Sequence, residues 1–410
     1  MIGPAVLAAA LAGALLASCG RAPEAAAGPG PAVSAAAPPL SGVASPNDPG
    51  AAAPPPSARR MTVLACGDIL LARTPGKRAA EYGFRYLFEG VRDLVSGADV
   101  AFANLETPVS YLGEPYPGKP PNVTFRADPA TLFGVAWAGF DVLSLANNHM
   151  NDYGPRAVDE TLAYVDLLGI ARCGAGRDLE EARRAAVLER DGVRFAFLAY
   201  AEGWWSVRGA ESLRAAVAAT RAEARLHGPE GLGVEATAHG AGHSVGHGVA
   251  HALEEHILED VARVKDVIRP DYVFVSLHWG DEHQRAPNAF QRGLGRAVID
   301  AGATAVLGHH PHVLQPIERY KHGLIAYSLG NFVFDMAAEA TYETAALRLV
   351  LEGGRILRVE IEPLTIARGA YYPRAATPEE ASARLRDLNR WSSRLSTPIV
   401  ERAGKGVVDF

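Results

Sequence analysis

Residues 61–68 have the sequence Met-Thr-Val-Leu-Ala-Cys-Gly-Asp, an apolar run that ends in a glycine and a carboxylate. Such a run predicts a buried strand followed by a polar loop. The same unit recurs further along the chain, with predicted strands at 98–103, 140–146, 193–200, 272–277, 305–307 and 324–328. Acidic, amide or histidine side chains follow each of these strands.

Helical patterns separate several of the strands. One helix is predicted at 155–168 and another at 289–301, where Phe290, Leu294, Val298 and Ile299 recur at helical spacing. Alternating strands and helices predict an α/β core whose strands are covered on both faces. The chain then changes character. A hairpin is predicted from 344–351 and 356–363, followed by a helix at 378–395.

The N-terminal residues predict an export signal. The apolar run within residues 1–18 spans about 15 residues, which is short for a membrane span and typical of a signal peptide. Leu16-Ala-Ser-Cys19 resembles a lipobox, so we expect a lipid on Cys19 that anchors the protein to a membrane of the bacterial cell envelope, outside the cytoplasm. Because no Lys or Arg precedes the run, an ordinary signal peptide with a chance cysteine is the alternative.

Composition limits the remaining organisation. Residues 19–60 are dominated by Ala, Pro and Gly and predict a disordered linker, because so few apolar side chains cannot offset the entropy of ordering. One main domain is expected at 61–366, with a probable insertion at 207–256 and a C-terminal extension at 367–410. The formal net charge is −6 with scattered basic residues, so no nucleic-acid partner is expected.

The two remaining cysteines, Cys66 and Cys173, each lie beside a predicted apolar strand. We expect two buried free thiols, since free cysteine is among the most buried residue types, with a disulfide between them as the alternative.

Polar residues at the predicted strand ends form the candidate site. In an α/β sheet, ligands bind beyond the carboxyl ends of the strands. The residues there are Asp68, Glu106, Asn148, His149, His278, Glu282, His310 and His312. Carboxylates, an amide oxygen and imidazoles predict divalent metal ions, with Mn, Zn, Fe and Mg all open. Strand alternation places His310 and His312 on one side of an extended chain and turns His309 away, to a structural role.

The order of these blocks resembles the CapA family of capsule and poly-γ-glutamate synthesis proteins, within the calcineurin-like metallophosphoesterase superfamily. The resemblance covers residues 61–366. It is carried by Gly67-Asp68, Asn104-Leu-Glu106, Ala146-Asn-Asn-His149, His278-Trp-Gly280, Gly308-His-His-Pro-His312 and Tyr327-Ser-Leu-Gly-Asn-Phe332. It implies an α/β fold built as a four-layer α-β-β-α sandwich of the metallophosphoesterase type.

The resemblance also implies roles. Asp68 and His312 correspond to ligands of a first metal, Glu106 to a bridging carboxylate, and Asn148, His278 and His310 to ligands of a second metal. His149 corresponds to a general acid or a group that stabilises charge on the substrate. Glu282 is expected to orient a ligand histidine, while Asn331 is either part of the site wall or a plain turn residue. Metals so placed act as Lewis acids.

Two departures from the superfamily pattern are visible. The usual Asp-x-His becomes Asp68 followed by Leu70 two positions on, and the bridging acid is Glu106 in place of aspartate. These departures favour one strong and one weak metal site and argue against ordinary phosphoesterase chemistry.

Structural roles are the alternatives for several of these residues. His149 could cap the helix near Pro155, Asn147 and Asn148 could be turn residues, and His278 could be a core histidine.

A second group of histidines, His239, His243, His247 and His251, recurs every four residues. On a helix they would share one face and could bind metal. The interspersed glycines disfavour a stable helix, so we expect a loose segment. Whether it covers the cleft as a lid is left open.

Three functions remain open at this stage. The first is synthesis or export of an anionic capsular polymer, with the polymer, a membrane and capsule-synthesis membrane proteins as partners. The second is metal-dependent hydrolysis of a small phosphoester or amide substrate, including γ-glutamyl bonds. The third is non-catalytic binding of the polymer.

Overall fold

The computed structural model describes residues 59–202, 248, 249 and 254–410. In chain order its strands are β1 (Met61–Ile69), β2 (Val100–Leu105), β3 (Val142–Ser144), β4 (Ala171–Cys173), β5 (Ala175–Gly176), β6 (Ala186–Arg190), β7 (Val193–Ala201), β8 (Gly248–Val249), β9 (Tyr272–His278), β10 (Ala305–His309), β11 (Ile317–Tyr320), β12 (Gly323–Ala326), β13 (Asn331–Val333), β14 (Glu343–Glu352), β15 (Arg355–Ile366), β16 (Pro373–Ala375), β17 (Val400–Arg402) and β18 (Lys405–Asp409).

The α-helices are α1 (Arg73–Tyr82), α2 (Arg92–Ser96), α3 (Leu132–Ala138), α4 (Gly154–Leu167), α5 (Leu179–Ala182), α6 (Glu254–Arg263), α7 (Ala289–Asp300) and α8 (Pro378–Ser392). Short 3₁₀ turns occupy Glu89–Val91, Pro121–Val123, Pro129–Thr131, Glu339–Tyr342 and Ser393–Leu395, and a π-helical turn occupies Val264–Ile268. Capping boxes at Asn288 and Thr377 satisfy the first backbone N–H groups of α7 and α8.

Ten strands form the first sheet, in the order β17-β18-β15-β14-β1-β2-β3-β4, with β13 paired to β1 and β16 to β15. From β1 to β4 neighbouring strands are parallel, and from β14 to β17 they are antiparallel. The second sheet has six strands in the order β11-β12-β10-β9-β7-β6, parallel in the middle and antiparallel at both edges. Both sheets are therefore mixed, and β5 and β8 form a separate antiparallel pair.

The predicted elements are present. Each strand predicted from the recurring unit is found within a few residues of its expected bounds, as are the hairpin β14–β15 and the helices α4, α7 and α8. The α/β class is confirmed. Several short strands were not predicted, among them β13 and β18, because their residues carry little local signal and are held by partners distant in the sequence.

One hydrophobic cluster contains residues from both sheets. The rings of Phe102 on β2 and Phe197 on β7 stack with centroids 5.5 Å apart, and Phe197 stacks on Phe274 at 4.8 Å. A second cluster joins the other side chains of β9 and β10 to α7 through Leu294, Val298 and others. Strands that are apolar on both faces are thus buried on both faces, as the sequence predicted.

Gly67 allows the closest backbone approach near the candidate site. A Cβ atom at this position would lie 2.0 Å from the carbonyl oxygen of Gly330, so no larger residue fits. The Asp68 N–H donates to that same oxygen at 3.0 Å. The missing side chain of Gly67 therefore lets the segment leading into β13 lie directly against the end of β1.

Cys66 and Cys173 are both buried and free, which confirms the expectation of two unpaired thiols. Burial raises the pKa of the Cys173 thiol to about 12, so the thiol stays protonated. Among the described residues, no helix combines the length and the apolarity that a transmembrane helix requires.

Some predictions concern residues outside the described ranges. They include the signal peptide, Cys19, the linker up to residue 58, and the histidines His239, His243, His247 and His251. Of the probable insertion at 207–256, the structure describes only residues 248, 249 and 254–256.

Candidate metal centre

The ends of parallel strands from both sheets deliver the candidate residues to one place. Asp68 lies on β1, and Glu106 directly follows β2, where its N–H donates to the Ile69 carbonyl at 2.9 Å. His278 ends β9 and pairs in register with His309, which ends β10. Asn331 begins β13 opposite Asp68. The predicted convergence of strand ends is therefore what the fold produces.

Two groups of these side chains are close enough to share an ion. One contains Glu106, His310 and His312, and the other contains Asp68, Glu106 and His278. Within each group the potential ligand atoms all lie within 4.8 Å of one another, and every member is buried. Glu106 belongs to both groups, which is the position a bridging carboxylate requires.

Glu106 is the least satisfied polar group of the site. Its side chain is fully buried, and neither carboxylate oxygen accepts a hydrogen bond from the described residues. Three imidazole Nε2 atoms, of His278, His312 and His149, face its Oε1 at 3.6, 3.7 and 3.9 Å, longer than a hydrogen bond. Burial and the nearby charge of Asp68 raise the pKa of Glu106 well above its ordinary value.

The His312 ring is fixed by its neighbours. Asn331 Nδ2 donates to the Thr341 carbonyl at 3.2 Å, which leaves Asn331 Oδ1 to accept from His312 Nδ1 at 2.8 Å. This network puts the proton of His312 on Nδ1 and a lone pair on Nε2. Nε2 and the Glu106 carboxylate are then two acceptors that face each other across 3.7 Å, an arrangement that a cation between them would satisfy.

Asp68 is held firmly. Its Oδ1 accepts from Asn104 Nδ2 and His309 Nδ1, both at 2.9 Å, and its Oδ2 accepts from the His310 N–H at 3.3 Å. Burial alone would raise the pKa of Asp68, but the hydrogen bond and charge of His309 outweigh it and lower that pKa. Asp68 is therefore an oriented carboxylate at the end of β1.

His278 and Asn148 face each other within the site. His278 Nε2 lies 3.0 Å from Asn148 Oδ1, and His278 Nδ1 lies 3.4 Å from Asn104 Nδ2. Asn147 donates through Nδ2 to Asn104 Oδ1 at 3.1 Å and accepts from two backbone N–H groups of the following turn. Asn147 is thus the turn residue of the pair, while Asn148 presents its amide oxygen to His278.

His149 belongs to a buried network beside the two metal groups. Its Nδ1 lies 2.9 Å from Asp152 Oδ2, its ring stacks on Phe125 at 4.1 Å, and Lys119 pairs with the other oxygen of Asp152. Burial lowers the pKa of His149 to about 4, against the opposing effect of Asp152. The helix-capping alternative is wrong, because α4 begins at Gly154 and has no side-chain cap.

The site fits a divalent cation. Burial lowers the pKa of His278, His310 and His312 as it does that of His149, so all four imidazoles are neutral at pH 7. Neutral imidazoles and buried carboxylates are the forms that bind metal. The unsatisfied carboxylate of Glu106 supplies the charge that such an ion would neutralise.

The predicted orientation of His309 was wrong. Its ring points towards Asp68, because Ala305, Leu307 and His309 alternate onto the same face of β10 and pack towards the first sheet. The prediction that 310–312 is extended was also wrong, since His310 has φ 94° and His312 has φ 57°. Their rings nevertheless lie together, with centroids 5.8 Å apart.

Two further differences concern the predicted set. The two candidate groups place His312 with His310 and His278 with Asp68, and His312 Nδ1 also lies 3.7 Å from Asp68 Oδ2. Glu282 is 51% exposed and pairs with His283 at 3.8 Å. Asn331 Oδ1 accepts a hydrogen bond from His312 Nδ1. At the position of the missing superfamily histidine, Leu70 is buried in the core and its N–H donates to the Val333 carbonyl at 2.8 Å.

Sequence reasoning left four residues of the site without a functional role: Asn104, Lys119, Asp152 and His309. Asn104 lies in the block Asn104-Leu-Glu106 and Asp152 follows His149 by three residues, so their hydrogen-bonding side chains could have marked them. His309 was misplaced by strand alternation. Lys119 lies in a long loop after β2, and no local pattern in the sequence marks it.

Comparison with known proteins gives a consistent result. The family described as "Bacterial capsule synthesis protein PGA_cap" matches residues 62–336, a span that contains every residue of the two metal groups. The chain is 31% identical to the capsule biosynthesis protein CapA of Bacillus anthracis, over 77% of this chain and 69% of the relative. It is 29% identical to the PGA biosynthesis protein CapA of Bacillus subtilis, over 80% and 77%.

Proposed function

Because this chain belongs to the PGA_cap family of bacterial capsule synthesis proteins, we propose that it acts in the synthesis or export of an anionic capsular polymer of the poly-γ-glutamate type. Similarity to the capsule and PGA biosynthesis proteins of the two Bacillus species supports the pathway. The buried, unsatisfied carboxylate of Glu106, faced by three imidazoles, supports a cation-dependent site within it.

We propose that the cation is held by Asp68, Glu106, His278, His310 and His312, with the amide oxygen of Asn148 beside His278. A divalent ion bound there would act as a Lewis acid on a carbonyl or phosphoryl oxygen of the substrate. Asn331 would keep His312 in the orientation that presents Nε2 to the site, and Asn104 Nδ2 would fix the His278 ring through Nδ1.

His149 is proposed to move a proton at Nε2. Asp152 holds Nδ1, and the low pKa of His149 leaves Nε2 as an acceptor at neutral pH. The ring can therefore accept a proton during the reaction and return it to a leaving group. Lys119 neutralises Asp152 through the other carboxylate oxygen, and its Nζ also lies 3.3 Å from His149 Nδ1. Phe125 covers one face of the imidazole and excludes water from it.

A metal-dependent hydrolase is the second candidate, acting on γ-glutamyl amide or phosphoester bonds. The buried network of Lys119, Asp152 and His149 favours turnover over simple binding, because it fixes one proton-accepting nitrogen beside the metal groups. Leu70 replaces a ligand histidine of ordinary phosphoesterases, which favours a γ-glutamyl amide over a phosphoester as the substrate.

An assay with added Mn²⁺ or Zn²⁺ on poly-γ-glutamate and on a generic phosphodiester tests these candidates. A γ-glutamyl hydrolase predicts cation-dependent shortening of the polymer, measured by gel filtration, and no release of the phosphodiester product. Release of that product alone would favour a phosphoesterase. Polymer binding without shortening would favour a non-catalytic binder. A protein that neither binds nor shortens the polymer contradicts a direct role in its synthesis.

The location in the cell envelope is also a proposal. It is supported by the lipobox-like Leu16-Ala-Ser-Cys19 and by the linker composition of residues 19–60. A lipid on Cys19 would hold the site near capsule-synthesis membrane proteins.

In Cys19→Ser we expect the protein to move from the membrane fraction to the soluble fraction and from the detergent phase to the aqueous phase of a phase-separating detergent. The reason is that acyl chains contribute about 0.8 kcal/mol per buried CH₂ to membrane binding. An unchanged distribution would show that the cysteine is not the anchor.

The four-layer order of the fold remains part of the proposal. Contact between the sheets at Phe102 and Phe197, and packing of α7 on the far side of β9 and β10, support it.

A further inference from the structure

A second polar cavity lies apart from the two metal groups. It has a volume of about 460 Å³ and is lined by the end of β15, the 3₁₀ turn Glu339–Tyr342 and one face of α8. None of its lining residues is a member of either metal group. The volume lies within the roughly 300–1,000 Å³ that small-molecule sites occupy.

Every carboxylate that lines this cavity already has an arginine partner. Glu343 pairs with Arg285 at 2.6 Å, Glu380 with Arg374 at 2.8 Å and Asp387 with Arg390 at 2.7 Å, and Glu339 pairs with Arg368. The acidic side chains are thus neutralised and leave no net negative charge to repel an anion.

Arg384 is the exception. Its side chain lines the cavity and the residue is only 8% exposed, yet no carboxylate of the described residues lies within ion-pair distance of it. Its Nη atoms donate to the Leu364 carbonyl and to Thr365 Oγ1, both neutral groups, and its Nε is buried without a hydrogen-bond partner among the described residues. Burial lowers the pKa of Arg384, against the opposing charges of Glu343 and Glu380.

A buried guanidinium without a counter-ion is costly, and its most favourable partner is a planar carboxylate. We propose that this cavity is a binding site for an organic carboxylate, which would be held by the guanidinium of Arg384. The site is distinct from the metal centre and requires only the contacts described above, so it does not depend on the capsule role. The carboxylate can come from a free small acid or from a glutamyl unit of the polymer.

Calorimetric titration of the metal-loaded protein tests the site with three probes. Glutarate carries the carboxylates, glutaramide has the same shape without charge, and a γ-linked glutamyl pentamer represents the polymer. We expect glutarate to bind, glutaramide not to bind, and Arg384→Met to weaken glutarate binding roughly tenfold to hundredfold, because a charge-assisted contact is lost. Tighter binding of the pentamer than of glutarate assigns the carboxylate to the polymer, and equal or weaker binding assigns it to a free acid.

Two controls distinguish a loss of glutarate binding from misfolding and from loss of the metal. Arg384→Met should retain its metal content and lose no thermal stability, since it removes an uncompensated buried charge. Should that variant fail to fold, Arg384→Lys keeps the charge without the planar fork, and we expect it to bind glutarate more weakly than wild type while still rejecting glutaramide. Equal binding of glutarate by wild type and the variant, equal binding of glutaramide and glutarate, or no binding by wild type overturns the proposal. If the wild-type protein binds glutarate but does not process the polymer, the result contradicts the capsule role and does not affect the proposed cavity site.

Discussion

Replacing Glu106 with glutamine is expected to remove the bound cation and yet leave the metal-free protein at least as stable as wild type. The carboxylate belongs to both metal groups, so its loss weakens every ligand set of the site. In metal-free protein, however, Glu106 is a buried acid that accepts no hydrogen bond from the described residues. A neutral amide there can donate to the Nε2 atom of His312 or His149, which lie 3.7 and 3.9 Å from Oε1.

The variant should therefore lose the stability that the cation provides but keep or gain stability without the cation, and both changes can be measured together. Metal content is read by elemental analysis, and thermal unfolding is followed with and without a chelator. At a thousandfold excess of metal over its Kd, binding stabilises wild type by about 4 kcal/mol, and the variant should lose this increment. Glu282→Gln is the matched control, because it makes the same change at a half-exposed acid nearby and should keep the metal. Full metal content in Glu106→Gln would show that this carboxylate is not a ligand.

His149→Ala is expected to reduce turnover about 10²- to 10⁴-fold while the metal content stays unchanged. His149 is outside both metal groups, and its Nδ1 is held by Asp152, so its removal deletes the proposed proton acceptor without removing a ligand. The measurement is kcat on the substrate that the polymer and phosphodiester assays identify, together with metal analysis of the same preparation.

His283→Ala provides the comparison for this variant. His283 is 44% exposed at the same rim and is expected to be dispensable for turnover. If His149→Ala loses metal along with activity, His149 is a ligand and not a proton-moving group. If its turnover equals that of wild type, the proposed role of the network of Lys119, Asp152 and His149 is wrong.

Most of the fold could be predicted because its central strands are strong local signals. Runs such as 61–66 and 272–277 are apolar on both faces, which happens only in a strand that is covered on both sides. β13 and β18 were missed for the opposite reason. Each has three to five residues, and each is a strand only because β1 or β15 offers a free backbone edge beside it.

The location of the site was predictable, but the orientation of its side chains was not. Residues at the carboxyl ends of neighbouring parallel strands meet at one edge of a sheet, which is sufficient to bring Asp68 and Glu106 together and, in the second sheet, His278 and His309. Which ring of a His-His-Pro-His segment faces Asp68 depends on where β10 ends and on left-handed backbone at His310 and His312. Both features are set by tertiary contacts, which strand alternation does not predict.

The partner of Asp152 illustrates a further limit. Lys119 reaches the site from a loop after β2, and its side chain is only 7% exposed because Asp152 and the Asn148 carbonyl receive its ammonium group. A lysine in a loop ordinarily predicts a solvated cation, since burial costs the charge its hydration. Only the three-dimensional pairing shows that this lysine belongs to the site.

The position of β1 has a consequence for how the molecule is made. This first strand lies between β2 and β14 and also pairs with β13, so its partners are spread over nearly the whole chain. A nascent chain that emerges N-terminus first therefore keeps β1 as an exposed apolar edge until residues 331–352 arrive. Such an edge is a typical binding surface for a chaperone that holds unfolded chains. Asp68 and His309 are 241 residues apart, so a cation at the proposed centre would bind only after the late strands have joined β1.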